Sequence, residues 1–98
     1  MKIFGCEGSG EISSSSIIYS GSCWITSIMV NTNGSNDATV LLYNNTSAAG
    51  SIVVEIKVAA AENYGGRIWK FPRKCNNGIY AAITGTGASC IVEYIPYV

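Results

Sequence analysis

The feature that most restricts what this chain can become is a two-residue alternation of side chains. It is carried in short runs and broken by turn residues about every ten positions. Successive side chains on a strand point to opposite faces, so each run reads as one strand with a face to bury. Residues 52–58 give the clearest example: Ile52, Val54, Ile56 and Val58 share one face, and Glu55 and Lys57 sit with Val53 on the other. Five of those seven residues are β-branched, which favours strand over helix.

Residues 23–31 form a further strand, expected to run unbroken. Trp24, Thr26, Ile28 and Val30 would then share one face, opposite Ile25, Ser27 and Met29. Asn33-Gly34 closes it with a strong turn signal. In residues 38–44, Val40 and Leu42 oppose Leu41 and Tyr43. Ala59 to Glu62 starts a helical turn that Gly65-Gly66 stops, and residues 67–71 make another strand ended by Pro72.

The last third reads as a closing hairpin. Ile79, Ala81 and Ile83 oppose Tyr80, Ala82 and Thr84, and Ile91, Glu93, Ile95 and Tyr97 oppose Cys90, Val92 and Tyr94. Gly85 and Gly87 supply the positive φ a short connection needs. With its turn at Thr86, the hairpin would set Cys90 opposite Ala82, which disfavours a bond between Cys75 and Cys90. The expectation is an all-β chain, a single small β-sandwich of seven to eight antiparallel strands. It divides into an N-terminal arm with a short strand, residues 1–22, and a sandwich over residues 23–98. Ile3, Phe4 and Ile12 are the arm's apolar anchors.

Charge is scarce. Only 12% of residues are charged and the net charge is zero, against about 25% charged in ordinary soluble domains. With 48% hydrophobic residues, such a domain is poorly protected from self-association. A subunit that hides its apolar surface against other copies is therefore expected. Trp24, Trp69, Phe71, Tyr80, Tyr94 and Tyr97 are the candidate interface residues. No run reaches the roughly 18 apolar residues of a membrane span, and the N-terminus lacks a signal-peptide pattern. Neither a membrane partner nor secretion is expected.

No histidine occurs, and the six carboxylates are scattered singly. No catalytic constellation, metal site or cofactor is expected, and the chain reads as a non-enzyme. Cys6, Cys23, Cys75 and Cys90 lack the spacing of a zinc site. Two readings stay open for them: reduced, buried thiols acting as small apolar groups, or disulfides within or between subunits. Arg67, Lys70, Arg73 and Lys74 cluster beside Trp69 and Phe71. That mixture suits single-stranded nucleic acid, but at zero net charge an acidic patch on a protein partner fits better. Positive charge also guards an edge strand against pairing. The sequons at Asn33, Asn44 and Asn45 fall in turns, which accounts for them.

Two segments carry a resemblance. Ala38-Thr-Val-Leu-Leu-Tyr-Asn-Asn-Thr-Ser-Ala-Ala-Gly resembles a strand-and-loop pattern of small virion proteins of tailed bacteriophages. Asn77-Gly-Ile-Tyr-Ala-Ala-Ile-Thr-Gly-Thr-Gly-Ala-Ser-Cys-Ile-Val-Glu-Tyr resembles the ending of the same proteins. The resemblance covers residues 24–97; the four cysteines and the Ser-rich N-terminal stretch stand outside it. It implies a jelly-roll-like sandwich, commonly a homotrimer, that decorates or cements the capsid by binding the major capsid protein or other virion proteins. The implied location is the virion, assembled in the host cytoplasm. A tail- or fibre-associated subunit and a carbohydrate-binding module are the alternatives.

Overall fold

The structure, a computed structural model, describes residues 6–97. Eight strands make two four-stranded antiparallel sheets. They are β1 (Glu7–Gly8), β2 (Ser16–Ser20), β3 (Cys23–Asn31), β4 (Ala38–Tyr43), β5 (Ile52–Val58), β6 (Tyr64–Cys75), β7 (Gly78–Thr84) and β8 (Ser89–Pro96). The one helical piece among the described residues is a 3-10 turn at Ala60–Glu62. Strands run β1-β8-β3-β6 in the first sheet and β2-β7-β4-β5 in the second. That pair of orders is the jelly-roll winding of a β-sandwich.

Only β4 and β5 pair as sequence neighbours; every other connection crosses from one sheet to the other. The expected closing hairpin is therefore an arch: β7 pairs with β2 and β4, while β8 pairs with β1 and β3. Gly85 and Gly87, at φ 118° and 74°, make the crossing, tied by an Ala88 N–H bond to the Gly85 carbonyl. A Cβ on Gly85 would strike the Asp37 carbonyl, so both its conformation and its closeness to β4 demand glycine.

The core lies between the sheets. Val40, Leu42, Ile79 and Ala81 enter from one side, and Ile25, Ile28, Val30, Cys90 and Val92 from the other. The expected alternation on β4, β7 and β8 matches this. On β3 it does not. Cys23 and Ile25 are buried, and so are Ile28 and Val30, so the phase slips by one residue at Thr26. Against β8, Ile25 pairs with Tyr94 and Ser27 with Glu93, leaving Thr26 as the extra residue of a β-bulge. Trp24 and Ile28 thus lie on opposite faces, not on one.

The opposite neighbour is more disturbed. Ile25 pairs with Arg73 and Ser27 with Ile68, so residues 69–72 have no partner on β3. Pro72, which has no N–H to give a ladder, sits inside this break. β6 is an edge strand and continues well beyond the expected residues 67–71.

The described N-terminal residues belong to the sandwich. β1 and β2 form an edge of each sheet, correcting the division into a separate arm of residues 1–22. Ile12 exchanges two backbone hydrogen bonds with Cys90 at 2.9 Å and packs on the core. Its side chain is therefore engaged inward. Ile3 and Phe4 lie outside the described residues.

Candidate interaction surface

The residues expected to form one interface are distributed over five environments. Tyr94 faces inward and meets Tyr19 across the sandwich, ring centroids 5.2 Å apart. Burial, with Glu7, Tyr19 and Cys23 nearby, raises its pKa. Tyr80 lies on the outer side of the other sheet, between Ile17 and Tyr43 in register. Trp69 is half-buried against the core, with the Arg67 guanidinium 5.0 Å from its ring.

Trp24 and Tyr97 do meet, on the outer face of the first sheet, at 5.3 Å between centroids. The Lys74 ammonium stands 4.3 Å from the Trp24 ring and 4.7 Å from that of Tyr97. This is a cation–π arrangement, and it occupies ring surface on which a sugar would stack.

The remaining member, Phe71, is 77% exposed, and its neighbour Ile68 is 84% exposed. Both belong to β6, Phe71 inside the unpaired residues 69–72 and Ile68 at their border, paired with Ser27. Tyr64, on the same strand, is 66% exposed. Beside Ile68, a shallow groove of about 450 Å³ runs over Ser27, Met29, Ile91 and Glu93. Its floor is held by the Ser27 hydroxyl donating to Glu93 Oε1 at 2.8 Å. Gly66 lets β6 lie close against β3, since a Cβ there would collide with the Ile28 carbonyl.

β6 also holds Arg67, Lys70, Arg73 and Lys74 and no carboxylate. Among the described residues the one ion pair is Lys57–Glu55, at 3.8 Å and well exposed, so the four β6 cations have no carboxylate partner. Sequence reading found the basic cluster and Phe71; it missed Ile68 as a protruding residue, because unbroken alternation gave no reason to lift it off the sheet. Comparison with protein-family models, with curated proteins and with solved structures finds no match.

No group of three metal-ligating side chains occurs among the described residues. The four thiols are free, with Cys6 exposed and Cys23, Cys75 and Cys90 buried. Cys6 Sγ lies 3.0 Å from Thr26 Oγ1, at the bulge. Cys23 stands directly opposite Cys75 in register. The Tyr97 N–H reaches past Cys23 to the Ser22 carbonyl, so the Cys23 amide and carbonyl face β6. In such a hydrogen-bonded pair side chains stand wider apart than in the alternate pair, against the short Cβ separation a disulfide needs. Burial pushes the Cys23 and Cys90 thiols up to about 11, Cys75 adding to the shift at Cys23. It raises Cys75 too, with Arg73 opposing. In native protein at neutral pH, Ellman's reagent is expected to titrate Cys6 promptly and the other three only on unfolding; rapid reaction of two or more thiols would contradict this burial.

The sequon asparagines are used locally. Asn33 Oδ1 accepts from the amides of Ser35 and Asn36, and Asn45 Oδ1 from that of Thr46. Asn44 Oδ1 accepts from the Asn77 amide.

Proposed function

We propose that this chain is a non-enzymatic structural subunit, a capsid decoration or cement protein of the tailed-phage type, working through contacts with its own copies and with a shell. The observation that carries the reading is the β6 edge. On a chain with so little charge, Ile68, Phe71 and Tyr64 project into solvent beside a flat, half-apolar sheet face. Exposed apolar residues grouped in this way mark interaction surfaces. The jelly-roll winding is compatible with the reading, since it recurs in viral capsid domains, though also in lectins. The lectin-like alternative is disfavoured by Lys74, which covers the Trp24–Tyr97 pair.

Decoration proteins act by bridging, so many modest contacts add through multivalency. Residues 7–12 pair within the first sheet and are not a free segment. The outer face is therefore assigned to the shell, and the β6 edge to contacts between copies. Sedimentation over a dilution series tests the self-association this requires. The wild-type mass is expected to rise with concentration, and Ile68→Asp/Phe71→Asp to remain monomeric with an unchanged circular dichroism spectrum. A wild-type monomer throughout refutes the reading.

A further inference from the structure

We propose that the β6 edge of one copy docks on the β1 edge of the next, joining copies head to tail. The inference rests on the assembly reading above and names the partner of its site. β6 carries four cations and no carboxylate. At the opposite edge of the same sheet, the chain from Cys6 to Ile12 and the adjoining β8 carry Glu7, Glu11 and Glu93 and no cation. Among the described residues, Glu93 accepts a hydrogen bond from the Ser27 hydroxyl at 2.8 Å and Glu11 one from the Ser89 hydroxyl at 3.3 Å. None is ion-paired among the described residues. A single sheet thus has a basic edge and an acidic edge, each without an ion-pair partner among the described residues.

Shape follows the same division. Ile68 and Phe71 stand out among the cations. On the acidic edge, Gly8 and Gly10 have open space where a side chain would be. Direction fits as well. Every pairing in the sheet order β1-β8-β3-β6 is antiparallel, so β1 and β6 run oppositely. Two copies set side by side in one orientation bring β6 of the first antiparallel to β1 of the second. A two-fold contact of β6 on β6 would instead face cations with cations, which opposes association. The contact is heterologous, and it closes into a ring if the rotation between copies allows. Such a contact accounts for four cations grouped on one strand of a chain with no net charge.

The test is complementary charge reversal. Arg67→Glu/Lys70→Glu/Arg73→Glu leaves Lys74 as the one cation on β6 and makes both edges acidic, and Glu7→Lys/Glu11→Lys makes both basic. All five residues are exposed, and circular dichroism with thermal melting checks that each variant stays folded. Sedimentation velocity at low and high salt is the readout. Wild-type association is expected to weaken with salt, and each variant alone to associate about 100-fold or more weakly. An equimolar mixture of the two is expected to assemble again, because every contact then joins an acidic edge to a basic one. If both variants associate like wild type, or the mixture stays monomeric while wild type associates, the head-to-tail contact is wrong and the assembly reading survives. A monomeric wild type at low salt removes both. Binding of an oligonucleotide or an anionic vesicle through β6, in place of self-association, also overturns the proposal.

Discussion

Ile25→Ala and Ile28→Ala are each expected to lower stability by about 2–5 kcal/mol, while Met29→Ala changes it by about 0.5 kcal/mol or less. Ile25 is 0% and Ile28 2% exposed, whereas Met29 is 49% exposed on the outer face. Truncating either isoleucine removes buried methyl groups and leaves a void that the surrounding sandwich fills only in part. The comparison is sharp because the two isoleucines are three residues apart. An unbroken strand would put Ile25 with Met29 and Ile28 with Trp24, so only one isoleucine would be deeply buried. The Thr26 bulge is what brings both inward. Urea denaturation of the three variants reads the result directly. A mild effect at either isoleucine, or a large one at Met29, would remove the bulge from the account.

Alkaline pH is expected to unfold the domain through its buried thiols. The ordinary thiol value is 9.0, and in the folded chain Cys23 and Cys90 are each raised to about 11. Between those limits the unfolded chain has released protons that the native chain still holds. Stability therefore falls as pH rises, since its slope follows protons bound by the unfolded state minus those bound by the native one. The contribution is flat well below pH 9 and declines from about 9 to 11. Each thiol costs up to about 1.4 kcal/mol per unit of pH, so the pair removes up to about 5 kcal/mol across the window. Native domains have a total stability of about 5–15 kcal/mol. Tyr94 and Cys75, also raised, add in the same direction. The diagnostic is a difference between variant and wild type. Cys90→Ala is expected to show a shallower alkaline decline than wild type, whatever its stability at neutral pH. Identical slopes would mean that the Cys90 thiolate meets no penalty in the fold.

Where the sequence was legible, the reason is that burial and alternation coincide. β4, β7 and β8 are flanked by unambiguous turn residues, and Val40, Leu42, Ile79, Ala81, Cys90 and Val92 face the core as their spacing requires. The same alternation cannot distinguish a hairpin from an arch. Ile79 and Cys90 point into the core whether their strands pair or face each other across it, so their spacing fits a hairpin at Gly85–Gly87 as well as an arch. The bulge at Thr26 was hidden for a related reason: Trp24, Ile25, Ile28 and Met29 offer apolar bulk to both faces, and either phase satisfies the pattern. The N-terminal stretch looked like an arm because serine and glycine dominate it. Its attachment runs through the backbone, in the bonds of Ser9 and Ile12 to Val92 and Cys90, and composition does not record backbone pairing. On β6 the basic cluster and Phe71 were visible as residue types. What departs from strict alternation is that Ile68 and Phe71, three residues apart, are both exposed across the unpaired residues 69–72.

The central claim is that β6 is the contact edge, and hydrogen exchange on the associated protein tests it most directly. Amides of Tyr64–Cys75 should exchange more slowly in the assembled wild type than in the monomeric Ile68→Asp/Phe71→Asp protein, with β4 and β7 unchanged. Equal exchange along β6 in the two samples would contradict the claim.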